Sequence, residues 1–138
     1  MSHKIIRSAI ESKLSTWAIA QSPPIQIAWQ NATFTPPNQA RYLRAFLLPA
    51  ETQNPDIGGD IRTFIGLYQV SICVPDGTGA GAAETIAESL IAEFPYGTLI
   101  TQSGIKVMIR KTPSQSPAMQ EPGLYVVPVS ISYRADVT

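Results

Sequence analysis

Residues 62–74 alternate without interruption: Phe64, Gly66, Tyr68, Val70, Ile72 and Val74 fall on one side, and Ile65, Leu67, Gln69, Ser71 and Cys73 on the other. A period of two belongs to a β-strand, whose side chains point to opposite faces in turn. A strand this long cannot stand alone. It must pair within a sheet, and its apolar face must be covered by a second layer.

Two helical stretches can provide that layer. Ile6, Ile10, Leu14 and Trp17 recur every three or four residues, with Ile5, Ala9 and Ala18 widening the stripe. Ser2 is a candidate N-cap, and Ser22-Pro23-Pro24 ends the helix near Ala20 by removing backbone donors and disfavouring helix at Ser22. A second helix follows the Pro75-Asp76-Gly77 turn, with Thr78 as a candidate N-cap. Ala83, Ile86, Ala87, Leu90, Ile91 and Phe94 share its apolar face, Glu84, Glu88 and Glu93 lie opposite, and Pro95 stops it.

Further strands are expected at 25–29, 42–48, 105–111 and 124–135. In the last of these, Pro128 points to an edge position or a bulge. Residues 31–39 read as an ordered surface loop anchored by Phe34, and residues 50–61 and 112–123 as two long loops rich in proline and glycine. The connections between the late strands are too short for a crossover helix. The expected fold is therefore α+β in two layers: an antiparallel or mixed sheet of about five strands with two main helices packed on one face, in a single domain spanning 1–138.

Composition narrows the function classes. Of 138 residues, 44% are hydrophobic and 14% charged, and ten basic residues balance ten acidic ones. That balance lacks the basic footprint of a nucleic-acid binder and gives no attraction to anionic lipid, so neither sequence-specific nucleic acid nor membrane is expected as a partner. The stretch 1–20 has no continuous apolar core of the signal-peptide kind, and a soluble protein made in the cytoplasm is expected. Cys73 and His3 are the only residues of their types, too few for an internal disulfide or a Cys/His zinc site.

Catalytic chemistry finds little footing. Asp76-Gly77-Thr78-Gly79-Ala80-Gly81 sits between strand and helix, where phosphates bind. It lacks the lysine of a P-loop, and Ala82 stands where a dinucleotide fingerprint has its third glycine. His3, two residues from the amino terminus, is expected to be exposed or frayed, and Cys73 to be a small sheet hydrophobe. Glu84, Glu88 and Glu93 form a solvated helix face, and Asp56 and Asp60 do not have the spacing of a calcium loop. No catalytic, cofactor-binding or metal-binding residue is assigned, and no cofactor is expected.

The order of motifs resembles the phage and prophage tail-terminator-like proteins. The residues carrying the resemblance are Leu14 and Trp17, Phe34 with Pro36-Pro37, Tyr42-Leu43-Arg44 leading to Leu47-Leu48-Pro49-Ala50, and Gly66-x-Tyr68-Gln69-Val70-Ser71-Ile72. They continue with Pro75-x-Gly77-x-Gly79, the helix closing on Phe94, and Pro128-Val129-x-Ile131-x-Tyr133-Arg134-Ala135. The resemblance implies a structural virion protein of the tail, present in the host cytoplasm during assembly and not an enzyme. Such subunits form a homo-hexameric ring that caps the tail tube, stops its polymerisation and offers a docking face to the head. Its partners would be itself, the tail tube protein and a head-completion or connector protein. The alternative is another neck, head-closure or minor tail protein; a nucleotide-binding module or enzyme ranks below both.

The contact surfaces do not come from the resemblance. Loop length and flexibility single out Gln53, Asn54, Pro55, Asp56, Ile57, Gly58 and Gly59, together with Pro117 and Met119, as the candidate oligomer or tube interface.

Overall fold

The computed structural model describes residues 3–55, 57–59 and 61–137. Its elements run α1 (His3–Ile19), β1 (Gln26–Trp29), β2 (Tyr42–Pro49), β3 (Arg62–Pro75), α2 (Ala80–Glu93), β4 (Leu99–Gln102), β5 (Ile105–Ile109), β6 (Ser114–Gln115), β7 (Met119–Glu121) and β8 (Leu124–Val137). The architecture is α+β, with a curled mixed sheet in the order β1-β2-β3-β8-β5-β4; β6 and β7 also pair with β8. The β1–β2 pair is parallel and all the others are antiparallel.

The alternating stretch is the spine of the sheet. β3 pairs along its whole length with β8, from Arg62 opposite Val137 to Pro75 opposite Leu124. Its predicted inner face is buried: Phe64, Tyr68, Val70, Ile72 and Val74 join Val127, Val129, Ile131 and Tyr133 of β8 in one core. α2 packs on β3 and β8, while α1 touches β1 at one side of the sheet and β4 and β5 at the other. The sheet thus curls around α1. Ile6, Ile10, Leu14 and Leu90 are fully buried in this layer. Lys13 of α1 reaches Glu93 of α2 at 3.1 Å, and Trp17 Nε1 donates to Ser89 Oγ at 3.1 Å, fixing the helices to each other.

Gly66 is on the core face opposite Tyr133. A Cβ there would lie 2.6 Å from both the Leu48 carbonyl oxygen and the Tyr133 hydroxyl. The tyrosine therefore covers the glycine, and no larger residue fits without displacement.

Several expectations need correction. The sheet has eight strands, not about five. β4 was missed because it has four residues and only partial burial. Its hairpin with β5 turns on Ser103 and Gly104, both at positive φ (51° and 79°), the conformation that suits two-residue hairpins. Residues 112–123 are not a free loop. β6 and β7 lie along β8, with Ser114 opposite Ser130 and Met119 opposite Val126. Two or three residues interrupted by proline show no period, so this strap left no sequence trace. β5 accordingly ends at Ile109, and β8 extends to Val137.

Pro128 sits in the interior of the sheet, opposite Ser71 and accepting a hydrogen bond from Ser116 N at 2.9 Å. The register moves by one residue between Gln115 opposite Val129 and Met119 opposite Val126, so the bulge lies on the strap beside the proline. The N-cap of α2 is Gly79, not Thr78, whose hydroxyl donates to the Pro75 carbonyl at 2.8 Å. His3 is not frayed: its ring meets Phe64 edge-on at 5.0 Å, and its Nδ1 is 3.2 Å from the Tyr133 hydroxyl. Ser2, Asp56 and Asp60 lie outside the described residues.

Candidate interaction surfaces

The sequence offers 53–59 on one long loop and Pro117 and Met119 on a second as candidate contacts; the structure puts the two at different ends of the sheet. Residues 50–61 leave β2 after Pro49 and enter β3 at Arg62, at the end of the ribbon where Pro49 faces Gly66. Met119 faces Val126, whose other neighbour is Cys73, opposite Tyr42 at the start of β2. The length of β2, roughly 25 Å for eight extended residues, separates these two rows.

The 50–61 loop is tied at its root. Ala50 N donates to Ile65 O at 2.9 Å, and Gln53 and Thr63 exchange both backbone bonds, at 2.9 and 2.7 Å. Asn54 Nδ2 donates to Ile61 O at 3.3 Å. The Thr63 hydroxyl donates to Asp136 Oδ1 at 2.5 Å, and this bond, helped by Arg134, holds the Asp136 carboxyl below its ordinary range. Beyond the root the chain turns over Ile57, Gly58 and Gly59, the last at φ 71°. The Ile57 side chain is 107% exposed, as free as in an extended peptide. An isoleucine so placed contributes nothing to the fold of its own subunit.

The 112–123 strap pairs along β8, and side chains on the sheet face opposite the helices fasten it further. Arg44 on β2 donates to both carboxylate oxygens of Glu121, at 3.2 and 2.8 Å. The pairing pushes the Glu121 carboxyl down and the Arg44 guanidinium up. Gln120 Nε2 donates to Asp76 Oδ1 at 2.8 Å, tying the strap to the turn after β3. Pro117 and Met119 are exposed on it. Beneath, Tyr42, Cys73 and Val126 form a small second core, closed by Phe34, whose ring centroid is 5.4 Å from that of Tyr42, and by Leu124. Burial raises the Cys73 thiol pKa, which disfavours the reactive thiolate.

A groove absent from the sequence reading lies at the start of α2. It measures about 540 Å³ and is lined mainly by Pro23, Ala40, Arg41, Val74, Ala82 and Ile86. Gly79 caps the helix without a side-chain hydrogen bond, and the first turn holds no acidic residue, so the positive end of the helix is unneutralised. Arg41 Nη2 donates to the Pro23 carbonyl at 2.7 Å, while its buried Nε has no hydrogen-bond partner among the described residues. Nothing in the sequence marks this groove, because its residues come from four separate segments.

No described residues assemble a catalytic centre. Among them, no three His, Cys, Asp or Glu side chains cluster as metal ligands, and no helix is long and apolar enough to cross a membrane. His3 is held between Phe64 and Tyr133; burial, then the charge of Arg7, lowers its pKa.

Comparison with known proteins supplies the remaining information. A sequence family described as phage tail terminator protein matches residues 5–133. Among solved structures, one chain is 38% identical in sequence with a TM-score of 0.83, over 98% of this chain and 96% of that one. No curated protein matches the sequence.

Proposed function

This chain belongs to the phage tail terminator family, and we propose on that footing that it is the subunit of a ring that caps the tail tube. The family supports a structural role in a phage tail. In the proposed role, the ring stops tube polymerisation, presents a docking face to the head-completion or connector protein, and is a homo-hexamer when assembled. The family match over residues 5–133 carries this reading.

The architecture is compatible with it. A rigid sheet with a buried helical layer carries a projecting loop at one end and a groove at the other, so each subunit offers two different surfaces. Head-to-tail rings require two such surfaces. The subunit is monomeric in dilute solution and closes into a ring on the tube end, which keeps free rings from competing with capping.

The test replaces 53–59 with a Gly/Ser linker of equal length. The expected outcome is an unchanged thermal melt, loss of the ring by native mass measurement in the presence of tail-tube subunits, and tubes of uncontrolled length by electron microscopy. Tubes capped at normal length would remove this loop from the interface. Failure of the unaltered protein to form rings, alone or with tail tubes, would overturn the terminator reading.

A further inference from the structure

We infer that the Ile57 tip of one subunit docks into the groove at the start of α2 on a second copy of this chain. The inference rests on the ring reading and names the contact that would build the ring.

Three observations support it. The first is an apolar knob without a home: Ile57 is fully exposed at the turn of a loop whose root is fastened by the Gln53–Thr63 pair. The second is an apolar receptacle, where Val74, Ala82 and Ile86 line a groove of about 540 Å³. The third is charge. Residues 50–61 carry Glu51, Asp56 and Asp60 and no basic residue. The groove has Arg41 on its wall and the uncapped start of α2 beside it. An acidic-flanked isoleucine suits that surface, and a basic-flanked one would be repelled.

Topology excludes the intramolecular alternative. The loop follows Pro49 at the end of β2, while Ala40 and Arg41 of the groove precede Tyr42 at its start. The strand between them is roughly 25 Å long, and the loop is held at its root on the far side. A tip so placed reaches only another molecule's groove. Each copy then gives its tip to one neighbour and receives a tip from the other, the heterologous contact that generates a closed ring when the rotation permits.

Cysteine pairing tests the contact directly, since Cys73 is buried. The full-length double variant Ile57→Cys/Ala82→Cys is assembled, alone and on tail tubes, then oxidised or treated with a short bismaleimide. The expected result on a denaturing gel is a ladder of covalent multimers up to the ring size, with neither single variant giving one. In parallel, Ile57→Asp and Ala82→Trp should keep the thermal melt and lower the ring fraction at least tenfold. If the parent forms rings but the double variant gives no ladder with either reagent, the docking is wrong and the ring reading stands. Cross-linking of position 57 to a tube subunit instead of a second copy overturns the docking as well. If the parent forms no ring under any of these conditions, both readings fall.

Discussion

The loop between β2 and β3 is tied at its root and bares an isoleucine at its tip, whereas the strap between β5 and β8 is fastened along its length. At the loop, the Gln53–Thr63 backbone pair ties the root, and the tip leaves Ile57 bare. At the strap, β6 and β7 extend one side of β8, and Arg44 grips Glu121 from across the sheet. The strap protects a long strand that would otherwise expose unpaired donors and acceptors. The loop protects nothing in its own subunit. Two segments of similar length thus differ in how they are held: one lies along the sheet, and the other projects from it.

The largest effect expected from this contrast is on the strap. Replacing 114–121 with a Gly/Ser linker removes the β6 and β7 pairing and uncovers β8 beside Val126 and Pro128. With each backbone bond contributing roughly 0.5–1.5 kcal/mol net, the loss should be on the order of 3 kcal/mol, accompanied by aggregation. The 53–59 replacement should stay within about 0.5 kcal/mol of the parent, the usual range for surface changes. Chemical denaturation of both variants side by side measures the difference. Equal losses would erase the distinction.

Gly66→Ala probes the root of the loop. The new methyl would stand 2.6 Å from the Leu48 carbonyl oxygen and the Tyr133 hydroxyl, so β2 or the tyrosine must move where the loop leaves the sheet. Overpacking of this kind costs about 1–3 kcal/mol. The same variant should also displace the Ile57 tip and weaken ring formation beyond what its stability loss explains. Arg44→Ala comes next. Its ion pair with Glu121 is about one-third exposed on both sides, and partly solvated pairs are worth below about 1 kcal/mol. Faster amide exchange confined to 119–126, with little change in melting temperature, is the expected signature.

The contrast also shows what can be read in a sequence. β3 was legible because its alternation is long and its inner face is covered, and both helices because their apolar stripes face that cover. The glycine-rich turn was legible as a helix entry, but the cap fell on Gly79 because Thr78 bonds back to Pro75 instead. The strap was illegible because its two strands are fixed by the edge of β8, not by a pattern of their own. His3 was misplaced because its partners, Phe64 and Tyr133, are remote in sequence. For the same reason the Arg44–Glu121 pair and the groove around Arg41 and Ala82 left no local signal. The 50–61 segment was legible as a loop, because its proline, glycines and polar residues carry no period.

The smallest expected effect is on pH dependence, where root and strap share one sign and single variants separate them. Asp136 at the loop root and Glu121 on the strap both have folded pKa values below their ordinary ones, through the Thr63 hydroxyl and the Arg44 guanidinium respectively. Each contributes stability that is fully present above its unfolded value, about 4, and that fades as the pH falls through the lower folded value. His3 is also lowered, by burial and then by Arg7. Its neutral form suits the fold, so its contribution is present above about 6.5 and is lost as acid protonates it. Glu11, raised by burial, works in the opposite direction and is relieved at low pH. Thermal melts from pH 7 to pH 3 should therefore fall in two stages. His3→Gln should flatten the upper stage alone. Thr63→Val and Arg44→Ala should each flatten part of the lower stage, the first by releasing Asp136 and the second by releasing Glu121. Should Arg44→Ala run parallel to the parent at every pH, the Arg44–Glu121 pair does not stabilise the strap, and backbone pairing to β8 alone holds it down.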